Sequence, residues 1–384
     1  MLNKRTYFLP PVSMIGPGVL QDVGNEVKSL DGSKVLLVTD AVLNKIGTVK
    51  KVTDVLEASG IAYVVFDGVQ PNPTCANVNA GLKMLQDNGC DLIVSLGGGS
   101  PQDCAKAVSI LAVNGGDIRD YEGVFKSAKK GLPIVAINTT AGTASEVTIN
   151  YVITDETRHV KMVMVDKNSL ASVAVNDPEL MVAKPAALTA ATGMDALTHA
   201  IEAYVTKGAY CLTDALALES IRLISNNLRA AVKNGTDIAA RSGMAYGSFV
   251  AGMSFSNCGL GVVHSLAHQL GGVYNLPHGV CNAVLLPRVM KFNAPACGDK
   301  FRAIAEAMGV DTAGMSTEEA NAAAIAAVET LSADVGIPTG LKELGVSEEK
   351  LGDMAKLALV DACAPGNPRE MTFDDAVAIY KAAL

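Results

Sequence analysis

The chain has 384 residues, of which 49% are hydrophobic and 18% charged, with a net charge of −8 and a pI near 5.2. The acidic balance argues against nucleic acid or an anionic membrane as a partner, and the apolar content argues against disorder. A length beyond one usual core implies two domains. The 8 cysteines form no C-x-x-C pair, so neither a disulfide framework nor a zinc ribbon is indicated. The start, Met1 to Pro11, lacks the apolar stretch of a signal peptide, and no uncharged apolar run reaches membrane-spanning length. A cytoplasmic enzyme or binding protein is the resulting expectation.

Through residue 180, short β-branched runs alternate with helical patterns, which predicts a parallel α/β sheet in a Rossmann-like domain. Residues 35–40, 62–68, 91–96 and 133–138 read as strands, and residues 48–59 and 75–89 as helices between them. Ligands gather outside the carboxyl ends of such strands. Asp40 closes the first strand. Its carboxylate could accept from ribose hydroxyls and repel a 2′-phosphate, favouring NAD over NADP, or could cap the helix that follows. Pro71-Asn72-Pro73-Thr74 is a rigid turn after the second strand.

The third strand runs into Gly97-Gly98-Gly99-Ser100-Pro101-Gln102-Asp103 and then a helix. Glycines let backbone amides approach an anion, and a helix start adds a favourable dipole, so this is a candidate pyrophosphate cradle. It departs from the usual dinucleotide fingerprint, because Gln102 stands where a third glycine would fall. The fourth strand ends in Thr139-Thr140-Ala141-Gly142-Thr143-Ala144-Ser145-Glu146. Hydroxyls there can bind phosphate or ribose, or cap the next helix.

Asn176-Asp177-Pro178 and Lys184-Pro185 punctuate a change of pattern, so the domains are drawn as residues 1–183 and 184–384. The second half is rich in alanine and leucine at helical spacing and reads as an all-α bundle. Ser316-Thr317-Glu318-Glu319 is a capping box whose helix should end at Gly336, and Thr372 with Asp375 starts the last helix.

Four of the 5 histidines lie between Gly193 and Asn282. Asp195 and His199 are four residues apart, as are His264 and His268, so each pair shares a helix face. His278, in Leu276-Pro277-His278-Gly279, is expected in a turn. One carboxylate with several imidazoles suits iron or zinc rather than magnesium or calcium. Any one of these histidines alone would read as a satisfied helix residue. Together they point to Asp195, His199, His264 and His278 as metal ligands, with His268 left over as a proton carrier.

Gly97-Gly98-Gly99-Ser100-Pro101, Thr139-Thr140-Ala141-Gly142-Thr143, Gly193-Met194-Asp195-Ala196-Leu197-Thr198-His199-Ala200 and Asn275-Leu276-Pro277-His278-Gly279-Val280 together resemble the iron-containing (group III) alcohol dehydrogenases. The resemblance implies the dehydroquinate synthase-like fold of that family, with NAD(P) and a divalent metal in a cleft between a Rossmann-like and a helical domain. It assigns the same four metal ligands and places His268 beside nicotinamide and substrate. It gives Gly98, Gly99, Ser100 and Asp103 to the pyrophosphate, and Thr139, Thr140 and Thr143 to adenine and ribose. Lys161 and Asn72 join the cofactor set, Asp40 becomes the NAD-selecting acid, and Asn150, Phe255 and Cys363 form the substrate wall, each with a plain packing reading beside it.

Within the family, residues 146–156 look like lactaldehyde reductase, whereas residues 267–272 and 277–282 look like the ethanol, methanol and 1,3-propanediol dehydrogenases. Gln102 and Arg288 stand where many members have histidine, departures that bear on substrate choice. The expected activity is NAD-dependent interconversion of short-chain primary alcohols or diols and aldehydes, by a homo-oligomer such as a dimer. The alternatives are a zinc enzyme of the glycerol dehydrogenase type acting on secondary alcohols, a metal-dependent hydrolase, and a non-catalytic scaffold.

Overall fold

The computed structural model describes residues 4–158, 160–182 and 184–384. Met1, Leu2 and Asn3 at the chain start, and Ala183 at the expected domain limit, lie outside the described residues. Residues 4–140 and 144–182 form one compact unit, and residues 141–143 with 184–384 form another.

The first unit carries strands β1 (Val12–Ile15), β2 (Lys34–Val38), β3 (Ala62–Phe66), β4 (Leu92–Gly97), β5 (Gly123–Val124), β6 (Ile134–Asn138), β7 (Asn150–Asp155), β8 (Val160–Val165) and β9 (Val173–Asn176). Its helices are α1 (Val23–Ser29), α2 (Ala41–Lys45), α3 (Thr48–Ala58), α4 (Cys75–Asn88) and α5 (Gly99–Asn114). Six strands pair in parallel in the order β1-β9-β6-β4-β2-β3. β2, β4, β6 and β9 are buried almost throughout, as β-branched runs covered on both faces must be. Alternate side chains divide between two cores. Leu36, Ile93 and Ala136 pack with Val78 of α4 and Val108 of α5, while Leu37, Val94 and Ile137 pack with Val27 of α1 and Val52 of α3. The chain leaves β2 toward β3 on one side and β4 on the other, so the switch point of the sheet falls between the ends of β2 and β4.

The four expected strands are β2, β3, β4 and β6, each within a residue or two of the anticipated limits. The expected parallel sheet is present in these six strands, and a second sheet that the strand pattern did not announce lies in the same unit. β7 and β8 form an antiparallel hairpin, with β5 parallel to β8, in a separate three-stranded sheet. β7 alternates half-buried and buried residues, the pattern of a strand covered on one face, and its buried Tyr151 and Ile153 join the same core as α5.

Lys106 fixes the approach to that hairpin. It is fully buried, and its ammonium donates to Ser145 Oγ (3.1 Å), Thr148 O (2.8 Å) and Asn150 O (2.7 Å). Asp103, one helical turn earlier, accepts from Ser145 Oγ (2.8 Å) and the Val152 amide (3.0 Å). Burial pushes the Asp103 carboxyl up to about 6, against the attraction of Lys106, and pushes the Lys106 ammonium down to about 8.

The second unit is helical: α6 (Ala186–Val205), α7 (Cys211–Lys233), α8 (Ile238–Cys258), α9 (Val262–Tyr274), α10 (His278–Cys297), α11 (Lys300–Ala307), α12 (Thr317–Asp334), α13 (Leu351–Leu359) and α14 (Phe373–Ala383). Every residue of α6 from Gly193 to Val205 is buried, so this alanine-rich helix is the axis of the bundle. The expected capping box of Ser316 with Glu319 opens α12, Thr372 starts α14 as expected and forms a second box with Asp375, and Gly336 follows α12 with φ +76°. Among the described residues no single helix is long and apolar enough to cross a membrane.

Replacing Lys106 with Met should lower unfolding free energy by roughly 3 kcal/mol, because it leaves the buried Asp103 carboxylate and two carbonyls without their cation. Urea unfolding of the two proteins at pH 7 measures the difference, and an unchanged midpoint would contradict the structural role assigned to Lys106.

Candidate functional site

In the second unit, α6 supplies Asp195 and His199, α9 supplies His264 and His268, and α10 supplies His278. Each spacing of three or four residues places side chains on one helix face. Ligand atoms of Asp195, His199 and His264, all buried residues, lie within 4.8 Å of one another. His278 Nε2 lies 3.7 Å from Asp195 Oδ1. His278 is not in a turn as anticipated: Pro277 is the N-cap, and the histidine is the first residue of α10. Gly279 permits this placement, since a Cβ there would run into the Ala191 carbonyl and sit 3.3 Å from Asp195 Cβ.

Three residues that sequence reasoning passed over complete the arrangement. Asn282, one turn after His278, directs Nδ2 at Asp195 Oδ1 (2.7 Å), His264 Nε2 (3.1 Å) and His278 Nε2 (3.1 Å). Glu202, three residues after His199, meets His264 Nδ1 at 2.5 Å. Asp361 accepts from His268 Nδ1 at 2.9 Å. The spacings to His278 and His199 could have flagged Asn282 and Glu202, whereas nothing in the sequence ties Asp361 to a residue 93 positions away.

Burial drives the His264 imidazole well below its ordinary range, with His199 and His268 adding to the effect, so it stands neutral and able to ligate. Burial likewise pushes Glu202 up to about 7. Burial also raises the Asp361 carboxyl, but the His268 hydrogen bond and the Cys363 amide outweigh it and leave the group below its ordinary value. His199 Nδ1 is buried without a hydrogen-bond partner, and the His199 ring stacks on Phe255 at 4.4 Å between centroids. Phe255 therefore packs directly against a candidate ligand. Cys363 is half-buried, donates its amide to Asp361 Oδ1 at 2.9 Å, and has its thiol held well above its usual pKa by burial.

The first unit gathers most of the cofactor candidates at strand ends. The run Gly97 to Ser100 links β4 to α5, and Gly98 is the N-cap of that helix. At Gly98 a Cβ would come within 3.0 Å of the Thr140 side chain, so only glycine allows this approach of the two loops. Thr139 and Thr140 follow β6; the Thr140 amide donates to Asn138 Oδ1 at 2.9 Å. Thr143 belongs with the second unit. Asp40 does not extend β2; it caps α2, with Oδ1 accepting from the Val42 and Leu43 amides at 2.9 Å each. Asn72, at φ +57°, accepts from Lys161 Nζ through Oδ1 at 2.8 Å, bringing together two residues 89 apart. Asn150 begins β7, with Oδ1 buried and without a hydrogen-bond partner.

Gln102 and Arg288, the two departures expected to bear on substrate choice, each make hydrogen bonds within the fold. Gln102 is buried, accepts from Ser95 Oγ (2.5 Å) and donates to Ile137 O (3.1 Å), stapling β4 to β6. Arg288 donates to the carbonyls of Val284 (3.1 Å) and Thr339 (2.8 Å), tying α10 to the loop after α12.

An open parallel sheet with a glycine-bordered switch point, and a helical unit with a buried carboxylate–imidazole cluster, define a metal-dependent nucleotide enzyme. The family models for iron-containing alcohol dehydrogenase match residues 10–178 and, for the C-terminal part, 189–384. The chain is 50% identical over 380 residues to 1,3-propanediol dehydrogenase of Klebsiella pneumoniae, covering 98% of each. It is 49% identical over 385 residues to lactaldehyde reductase of Escherichia coli K12, covering 100% of this chain and 98% of that one. It is 48% identical over 378 residues to the NAD-dependent methanol dehydrogenase of Bacillus methanolicus, covering 98% and 99%. The crystal structure of a 1,3-propanediol oxidoreductase superposes with a TM-score of 0.98 at 50% identity, with complete coverage of both chains. The chain belongs to the iron-containing alcohol dehydrogenases. Its reaction is accordingly the interconversion of alcohol and aldehyde by hydride transfer, which sets aside the hydrolase and scaffold alternatives.

If Gln102 is a staple, Gln102→Leu should lower unfolding free energy by about 2 kcal/mol through the unpaired Ser95 hydroxyl and Ile137 carbonyl. The relative kcat/KM values across a panel of alcohols should not change. A reordered panel without loss of stability would restore the residue to the substrate site.

Proposed function

We propose that Asp195, His199, His264 and His278 hold the iron of an NAD-dependent enzyme that interconverts short-chain primary alcohols or diols and their aldehydes. The observation that carries this reading is the meeting of Asp195 Oδ1, His264 Nε2 and His278 Nε2 around one amide nitrogen, that of Asn282, at 2.7–3.1 Å. Potential ligand atoms from three separate helices converge on one small volume. His199, with one ring nitrogen within 4.8 Å of the Asp195 and His264 ligand atoms, supplies a fourth donor. One carboxylate with three imidazoles fits a divalent first-row metal. The relatives named above act on methanol, a three-carbon diol or lactaldehyde, all of which carry a primary hydroxyl or an aldehyde, and this supports the substrate class.

When bound, the cation supplies Lewis acidity that favours ionisation of an alcohol near neutral pH, and nicotinamide supplies the hydride acceptor. The rest falls to the chain. His268, with Nδ1–H committed to Asp361, keeps Nε2 as the acceptor for the alcohol proton and passes it outward. Phe255 and Cys363 wall the substrate and exclude water beside His199 and His268.

We assign residues 1–183 to the nucleotide and residues 184–384 to the metal. Gly98, Gly99, Ser100 and the start of α5 cradle pyrophosphate. Asp103 acts there through its hold on Ser145 and β7. Thr139, Thr140 and Thr143 flank adenine and ribose, and the Lys161–Asn72 pair meets a cofactor hydroxyl. Asp40 serves twice, since both amide bonds of the helix cap fall on Oδ1 and leave Oδ2 for a ribose hydroxyl.

Anaerobically purified, iron-loaded protein assayed with NADH against a panel of aldehydes and ketones tests the substrate class; preference for ketones would favour the secondary-alcohol alternative. His264→Ala should lose metal, measured by mass spectrometry, and turnover, while NADH affinity stays within twofold. Normal metal content in that variant refutes the ligand set. Asp40→Gly should keep α2, because glycine at an N-cap costs only a few tenths of a kcal/mol, and should raise the NADPH-to-NADH efficiency ratio severalfold. An unchanged ratio removes the selectivity role.

A further inference from the structure

We infer that Glu202 is the positioning residue of the metal centre: it fixes the tautomer and ring plane of His264, so that Nε2 and not Nδ1 faces the cation. The inference rests on the ligand set proposed above and adds a residue outside it.

Glu202 lies on α6 seven residues after Asp195 and three after His199, so it shares their helix face. It is 2% exposed. A carboxylate is expensive to bury unless its oxygens are satisfied, and here each has a partner on α9. Oε1 accepts from the Val263 amide at 2.7 Å, in the first turn of the helix, where an anion also meets the positive end of the dipole. Oε2 faces His264 Nδ1 at 2.5 Å. Capping α9 alone would not need a carboxylate. A neutral Ser, Thr or Asn caps as well, and the neighbouring Val262 amide already donates to the neutral Asn367 Oδ1. The second oxygen is what a carboxylate adds, and it is spent on the imidazole.

The consequence reaches the other side of the ring. A neutral imidazole has one donor and one acceptor nitrogen. With Nδ1–H given to Glu202, Nε2 carries the lone pair, and Nε2 is the atom that meets Asn282 Nδ2 beside Asp195 Oδ1 and His278 Nε2. A carboxylate behind a ligating histidine also raises the basicity of the metal-facing nitrogen, and losing such a partner typically weakens metal binding about 10- to 100-fold. Because Val263 and His264 are adjacent, one side chain sets both the start of α9 and the direction of its first histidine.

The test is zinc affinity of full-length apoprotein, measured by competition with a chromophoric chelator. Glu202→Gln has only one acceptor oxygen for two donors, and should bind zinc about 10- to 100-fold more weakly than the parent, with NADH affinity unchanged. Affinity within threefold of the parent overturns the inference. Should the variant fail to fold, the parent protein decides: zinc-loaded and labelled with 15N-histidine, it should show His264 protonated at Nδ1 and bound through Nε2. Coordination through Nδ1 overturns the inference without any mutation. A parent protein that takes up no zinc or iron at all would instead remove the ligand set itself, a result separable from either of these.

Discussion

The structure of the second unit depends on how closely the start of α10 can press against α6. Gly279 makes that approach possible, because any side chain there would collide with the Ala191 carbonyl. With the helices this near, His278 comes within 3.7 Å of the Asp195 carboxylate and Asn282 reaches across to it. Backbone proximity, set by a missing methyl group, is thus what turns five polar side chains on three helices into one centre. Alanine does the same along α6, whose buried faces present little bulk to their neighbours.

Placing ionisable groups in such a core is unfavourable unless each has a partner, and the second unit satisfies this in pairs. His264 is held by Glu202 and His268 by Asp361, each carboxylate also accepting a backbone amide. The amide bonds anchor the carboxylates, and the carboxylates orient the rings. The same logic recurs in the first unit, where Lys106 and Asp103 hold the segment leading to β7 through hydroxyls, carbonyls and an amide. Each unit therefore uses a buried carboxylate as a bracket between elements, one serving a loop and the other an imidazole.

Membership in the iron-containing alcohol dehydrogenases places the chemistry, and the relatives narrow it without selecting one substrate. Identities of 50%, 49% and 48% to enzymes named for a diol, an aldehyde and methanol are too even to choose among them. The mixed local resemblance in residues 146–156 and 267–282 agrees with that evenness. The two departures from the family pattern, Gln102 and Arg288, both take up hydrogen bonds within the fold.

The sequence by itself determined whatever depends on neighbours along the chain. The β-branched runs became β2, β3, β4 and β6, the glycine run became the start of α5, α12 and α14 started where their capping residues stand, and the histidine spacing put the side chains of each pair on one helix face. These are local consequences of backbone stiffness, turn chemistry and helix period. Only the tertiary structure decided that β7 and β8 leave the main sheet, since pairing direction is set by which strands meet and not by the composition of either. It also decided the partners: Glu202 for His264 and Asp361 for His268 are joined across 62 and 93 residues. No periodicity carries such a link, because a hydrogen bond between distant segments exists only once packing has removed the water that would otherwise satisfy both groups.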